Sequence, residues 1–261
     1  MDQQTFVLST LHPSPASSSS GGPAVSPRAR TVIYRGMWAG LAPDSRNPAP
    51  LNPEVYYETD LPTFTSDARM EKVPELADTA GGPARGLSPL ASVEGGPVEA
   101  VFWVAEAKTQ WRVRGRSYVL GPDIDSETAA PVRAALQTYM RRKQGGPGAS
   151  AAEPSSSSSS SSWSFAREVT AHFGNLSPGM RGTFRNPPPG TPLSEKPSEG
   201  LGLGQKVDDV EDEVARRNFR IVVIVPDEVD QVLLTQPGRR WNYKHVGTEN
   251  VGSWKITELW P

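Results

Sequence analysis

Phe219-Arg220-Ile221-Val222-Val223-Ile224-Val225 is apolar at both odd and even positions, with one arginine as the exception. A half-exposed strand alternates apolar and polar residues, so a run without alternation predicts a strand covered on both faces, by a barrel interior on one side and a helix or subunit on the other. Pro226-Asp227-Glu228 then reads as a turn, after which residues 229–235, 239–246 and 252–259 complete an antiparallel meander. Upstream, residues 98–105 and 109–120 form a hairpin turning around 106–108. In its second strand the period of two puts Gln110, Arg112, Arg114 and Arg116 on one face, with Trp111 and Val113 on the other. Phe6-Val7-Leu8-Ser9-Thr10-Leu11 and a run beginning near Arg28 pair as a further hairpin, and residues 60–65 add another strand. Helical spacing marks 127–143, with Ser126 or Thr128 as cap, then 164–173, and short pieces at 68–76 and after Pro178. Six or more strands with two or three helices predict a mainly β protein, a small closed barrel with helical decoration.

The 261 residues include 24 glycines, 26 prolines and an unbroken serine tract over 155–162. With apolar residues at 36% and gathered in a few strand-like runs, the expectation is one domain over 1–261, of which about 180 residues pack. Its insertions are a loop at 12–27, a Ser/Gly-rich disordered stretch at 144–162 and an irregular acidic, proline-rich loop at 186–215. The net charge of −2, from 27 basic and 29 acidic side chains, gives no general attraction to nucleic acid or to an anionic membrane. Without cysteine there is no disulfide, and His12, His172 and His245 are too scattered for a structural zinc site. No segment has the length and apolarity of a membrane span, and the lack of Lys or Arg in residues 1–24 supports neither a signal nor a transit peptide. A cytoplasmic protein is expected.

Cations recur beside small donors. Arg30-Thr31-Val32-Ile33-Tyr34-Arg35-Gly36 is followed by Phe64-Thr65-Ser66-Asp67-Ala68-Arg69-Met70-Glu71-Lys72, and later come Gln110-Trp111-Arg112-Val113-Arg114-Gly115 and Arg239-Arg240-Trp241-Asn242-Tyr243. Phosphate requires this chemistry, because guanidinium or ammonium offsets its charge while hydroxyls and backbone N–H groups fill its other lone pairs. Taken in order, the four segments resemble the FMN-binding split barrels of the pyridoxamine 5'-phosphate oxidase family. The resemblance implies a six-stranded antiparallel split β-barrel of Greek-key type with flanking helices, FMN as cofactor, and a homodimer with the site between subunits. It places Arg30, Ser66, Arg69 and Lys72 at the FMN phosphate and counts Thr31, Val32 and Thr65 among the FMN-binding residues. It sets Gln110 beside the flavin ring, adds Arg240 from the last arginine motif and Ser177 from Leu176-Ser177-Pro178-Gly179-Met180-Arg181, and turns Arg35 toward the substrate. It names no general base.

One feature argues against oxidation of pyridoxamine phosphate itself: Thr235-Gln236-Pro237-Gly238-Arg239-Arg240 lacks the Arg-x-His segment and the tryptophan with which the oxidases read their substrate. The chain also departs from the family in that strand-like residues begin by Phe6, where the family has a first helix. The sequence is therefore read as an FMN-dependent oxidoreductase acting on an unidentified small, anionic substrate. A non-catalytic FMN-binding, storage or interaction module is the alternative, and a nucleic-acid-binding barrel using Arg112, Arg114 and Arg116 a remote one. Each site residue also has a plainer reading: a strand arginine is commonly a solvated or ion-paired surface group, and Trp241, Tyr243, Trp254 and Trp260 commonly fill a core or interface.

Overall fold

A computed structural model describes residues 4–14, 24–53, 57–78, 91–143, 163–247 and 253–261. The first hairpin, β1 (Thr5–Ser14) with β2 (Ala24–Met37), runs in register from Thr5 opposite Ile33 to Ser14 opposite Ala24. Paired strand thus takes up both ends of the stretch read as a 12–27 loop. After the short β3 (Tyr57–Glu58) comes β4 (Pro62–Asp67), which leads through a turn into α1 (Lys72–Asp78). Pro74 stands in the first turn of α1, where its missing N–H is no loss. The expected hairpin of β5 (Val93–Val104) and β6 (Thr109–Leu120) is present, with Val104 opposite Thr109. A 3-10 turn capped by Ser126 precedes α2 (Ala130–Gln137), then β7 (Arg141–Arg142), α3 (Phe165–Gly174) capped by Ser164, and α4 (Pro178–Gly182) capped by Ser177. The chain closes with α5 (Glu213–Asn218), β8 (Phe219–Leu233), β9 (Arg239–Val246) and β10 (Ser253–Leu259).

The mainly β composition with a few helices agrees with the sequence. Eight antiparallel strands lie in the order β10-β9-β8-β4-β2-β1-β5-β6, and β6 pairs in addition with β8. The two-sided burial of residues 219–225 has a direct cause. Val222 and Ile224 point into a core with Phe6, Leu8, Val32, Phe64, Ala100 and Val113. Ile221, Val223 and Val225 pack on the opposite side against Phe165, Val169 and Phe173 of α3 and Leu136 of α2. Removing this much apolar surface from water is the main stabilising contribution here, at about 25 cal/mol per Å².

Three boundaries differ from expectation. Pro226-Asp227-Glu228 makes no turn: β8 runs straight through to Leu233, and the register against β6 slips between Arg114 and Gly115. The proline, which cannot donate to a ladder, sits at that bulge opposite Gly115, whose missing Cβ would lie 2.0 Å from the Val225 carbonyl oxygen. The helix foreseen over 127–143 stops at Gln137, because Arg141 and Arg142 leave it to pair with Glu58 and Tyr57 of β3. The irregular loop of 186–215 gives way to α5 at Glu213, where the Asp212 side chain accepts from Ala215 N. The serine-rich stretch 144–162 lies outside the described residues.

Candidate functional site

A cation of β2 and one of α1 converge beside the end of β4. Ser66, at the end of β4, is 5% exposed, and Lys72 at the start of α1 reaches back so that Nζ stands 3.4 Å from Ser66 Oγ and 2.8 Å from Met70 Sδ. Burial lowers the Lys72 pKa below the usual lysine value, and the positive charge of Arg30 lowers it further, against the pull of Asp67 and Glu75. Two cations packed closely enough to repel through a partly desolvated region make a place where a dianion is stabilised.

Arg30 is already engaged on its other side. It donates from Nη1 to Thr10 Oγ1 at 2.5 Å and from Nη2 to Glu75 Oε2 at 2.5 Å. Glu75, only 2% exposed, also accepts from Thr10 Oγ1 at 2.6 Å and lies 3.1 Å from His12 Nδ1. Burial raises its pKa, but the Thr10 and Arg30 hydrogen bonds outweigh that and leave the carboxyl below its ordinary value. Glu75 thus clamps Arg30 from the β1 side, while Ser66 and Lys72 stand on the β4 side. The sequence reading missed Glu75, although its position three residues after Lys72 sets both on one helix face.

The other expected residues divide. Thr31 is exposed and Thr65 half-buried on the neighbouring strand, whereas the Val32 side chain packs into the inner core and can face a ligand only with its backbone. Arg69 is spent: Nε and Nη2 donate to Asp67, at 2.9 and 2.6 Å, and Nη1 to the Asn186 carbonyl. Gln110 and Arg240 lie opposite the same residue of β8, Val232, and so share one row of the sheet. Arg240 donates twice to Asp230, which also pairs with Arg112 at 3.2 Å. Arg114 and Arg116 are held by Glu99, Glu228 and Glu94, so the arginine face of β6 is neutralised by its neighbours. Ser177 uses its hydroxyl to cap α4, accepting from Met180 N.

Arg35 differs from all of these. Half-buried, it has no hydrogen bond or ion pair among the described residues, and its Nε is fully enclosed. Burial lowers its pKa. It lines a cavity of about 240 Å³ with Tyr34, Gly36, His172 and Asn175. His172, 2% exposed, stacks on Trp38, and its Nε2 lies 3.6 Å from Glu168 Oε1. A second, apolar cavity of about 530 Å³ lies between Tyr34, Phe102, Trp111, Val113, Tyr243 and Trp254.

Residues 1–121 match the family described as Pyridoxamine 5'-phosphate oxidase, FMN-binding domain. Among solved structures, a pyridoxamine 5'-phosphate oxidase-related, FMN-binding protein from Nostoc punctiforme PCC 73102 aligns over 99% of this chain and 87% of its own, with TM-score 0.50 and 17% identity. PhzG from Burkholderia lata 383, solved with tetrahydrophenazine-1-carboxylic acid, aligns over 99% of this chain and 83% of its own, at 13% identity and TM-score 0.38. No curated protein matches the chain.

Proposed function

Residues 1–121 match the pyridoxamine 5'-phosphate oxidase FMN-binding domain family, and we propose that the chain grips the FMN phosphate with Arg30, Ser66 and Lys72 and acts as a flavin-dependent oxidoreductase on a small anion. The observation that carries this is the meeting of two cations and a buried hydroxyl where β2, β4 and α1 join. Glu75 fixes the Arg30 guanidinium so that ligand binding orders one less side chain. Bound flavin supplies the hydride acceptor, and the protein's share is to position the reactants and keep water out. Arg35, enclosed and without a protein partner among the described residues, suits the anionic group of a substrate in the neighbouring cavity.

The pairing of β6 with β8, which joins the two sides of the sheet, supports reading it as a split barrel. Two further features support a homodimer. The Gln110–Arg240 row lies on β6 and β9, strands that do not pair with the β2 carrying Arg30, which suits a second copy presenting a ring-binding row to each phosphate site. The edge hairpin of β9 and β10 leaves Trp254, Ile256 and Leu259 exposed, with Trp260 at 94%, an apolar face of the kind subunits cover. No described helix is long and apolar enough to cross a membrane, and we place the protein in the cytoplasm. The test is direct. Purified protein, as isolated or after addition of FMN, should absorb at about 370 and 450 nm, as any oxidised flavoprotein does. Anaerobic mixing with pyridoxine and pyridoxamine phosphates and with nicotinamide nucleotides then asks which bleaches the flavin. A protein that takes up no FMN overturns the proposal.

A further inference from the structure

Arg181, on α4, is 3% exposed, yet its Nε and Nη1 have no hydrogen-bond partner among the described residues. It makes no ion pair within them either, and the cations around it are otherwise matched: Arg46 by Asp44, and Arg185 by Asp212. Burying guanidinium N–H groups without acceptors is costly, so Nε and Nη1 of Arg181 stand ready for an acceptor from outside the protein. The space for it is present. Arg181 lines a cavity of about 420 Å³ between the segment holding Arg46 and Asn47 and the turn from α3 into α4, with Ser177 and Asp208 at its wall. The residues that would otherwise fill this role are occupied. The Asn47 side chain is tied to the Ala171 carbonyl and to Asn175, and Ser177 Oγ caps Met180 N. Asp208 is exposed, and although its charge acts favourably on Arg181 it makes no ion pair with it.

We propose that this cavity is a second anion site, in which Arg181 binds a compact oxyanion, a phosphate or carboxylate group, independently of the Arg30–Lys72 cluster. A guanidinium presents several N–H groups to the oxygens of such an ion, and the cavity has ample room for it. Asp208 at the wall acts as a competing charge that keeps the affinity moderate.

The experiment titrates the full chain, loaded with FMN, with inorganic phosphate and in parallel with acetate, by calorimetry. Saturable one-to-one binding is expected, weakened about 10- to 100-fold in Arg181→Gln and tightened in Asp208→Asn, where the competing charge is gone. Absence of saturable binding in the unmodified chain overturns the inference, as does equal binding by a folded Arg181→Gln protein. If Arg181→Gln does not fold, Asp208→Asn decides alone: tighter binding supports the site, and unchanged binding overturns it. Lys72→Ala separates this site from the proposed flavin site. Phosphate binding that survives there while FMN affinity falls supports two sites, whereas phosphate binding lost with Lys72 means the ion was reading the flavin cluster, and the inference fails while the FMN assignment stands. Conversely, phosphate binding that depends on Arg181 in a chain that takes up no FMN supports the second site and overturns the flavin assignment alone.

Discussion

Lys72→Ala tests the proposed phosphate contact in flavin binding. The ammonium stands 3.4 Å from Ser66 Oγ, and its nearest opposite charges, Asp67 and Glu75, are engaged by Arg69 and Arg30. A charge-assisted hydrogen bond to phosphate contributes about 1.5–3 kcal/mol, so removing it should weaken FMN about 10- to 150-fold. The folded apoprotein should not lose stability, because burial and Arg30 already disfavour the charged lysine there. Fluorescence quenching of FMN gives the affinity, and riboflavin, which has the same ring but no phosphate, is the control. Affinity for riboflavin should be unchanged. Equal losses for both flavins, or none for either, would refute the placement of the phosphate at Lys72. Arg30→Ala is a poorer probe, because it strands the buried Glu75 carboxylate, and breaking such a pair costs about 3–5 kcal/mol, less here because Arg30 keeps 21% of its side-chain surface. The double variant Arg30→Met with Glu75→Gln removes both charges and should recover most of that stability while leaving FMN weakly held.

Glu75 also sets a pH dependence. Its folded pKa lies below the ordinary 4.5, so the stability it contributes is full above that value and is lost as pH falls through the folded pKa. Denaturant melts at pH 7 and in the acid range should show this slope, and Glu75→Gln should flatten it. Gly115→Ala should destabilise by about 1–3 kcal/mol in urea melts, since a methyl group there meets the Val225 carbonyl oxygen at 2.0 Å across the bulge. Ile256→Asp, at an exposed position of β10, should shift the proposed dimer toward monomer in light scattering and leave the far-ultraviolet circular dichroism unchanged.

Much of the fold is legible in the residues alone, and the misses have identifiable causes. The β5–β6 hairpin and the double burial of residues 219–225 follow from side-chain period, which reports the environment of each face directly. The boundary at Pro226 is misread because a proline followed by two acids is the usual signal of a turn, and only Gly115, on a different strand, whose missing side chain lets the Val225–Pro226 backbone approach closely, shows that the chain can continue through it. At the site, the cations can be seen but their partners cannot. Nothing local says that Asp230 will claim both Arg112 and Arg240, or that a helix carboxylate will seat itself on Arg30, since each pairing depends on which strands become neighbours. Arg35 and Arg181 emerge as exceptions only once the other pairings are known.

The part of the chain that matches a known family ends at residue 121, yet the sheet it builds is unfinished there. Both β4 and β6 expose a row of peptide groups that only β8, more than a hundred residues later, comes to satisfy. During synthesis the nascent hairpins must therefore wait with two open borders, each able to recruit a foreign strand, until the last third of the polypeptide leaves the ribosome. A fragment stopping at 121 should accordingly precipitate or bind chaperones, and supplying residues 163–261 as a separate peptide should rescue it by completing the seam in trans.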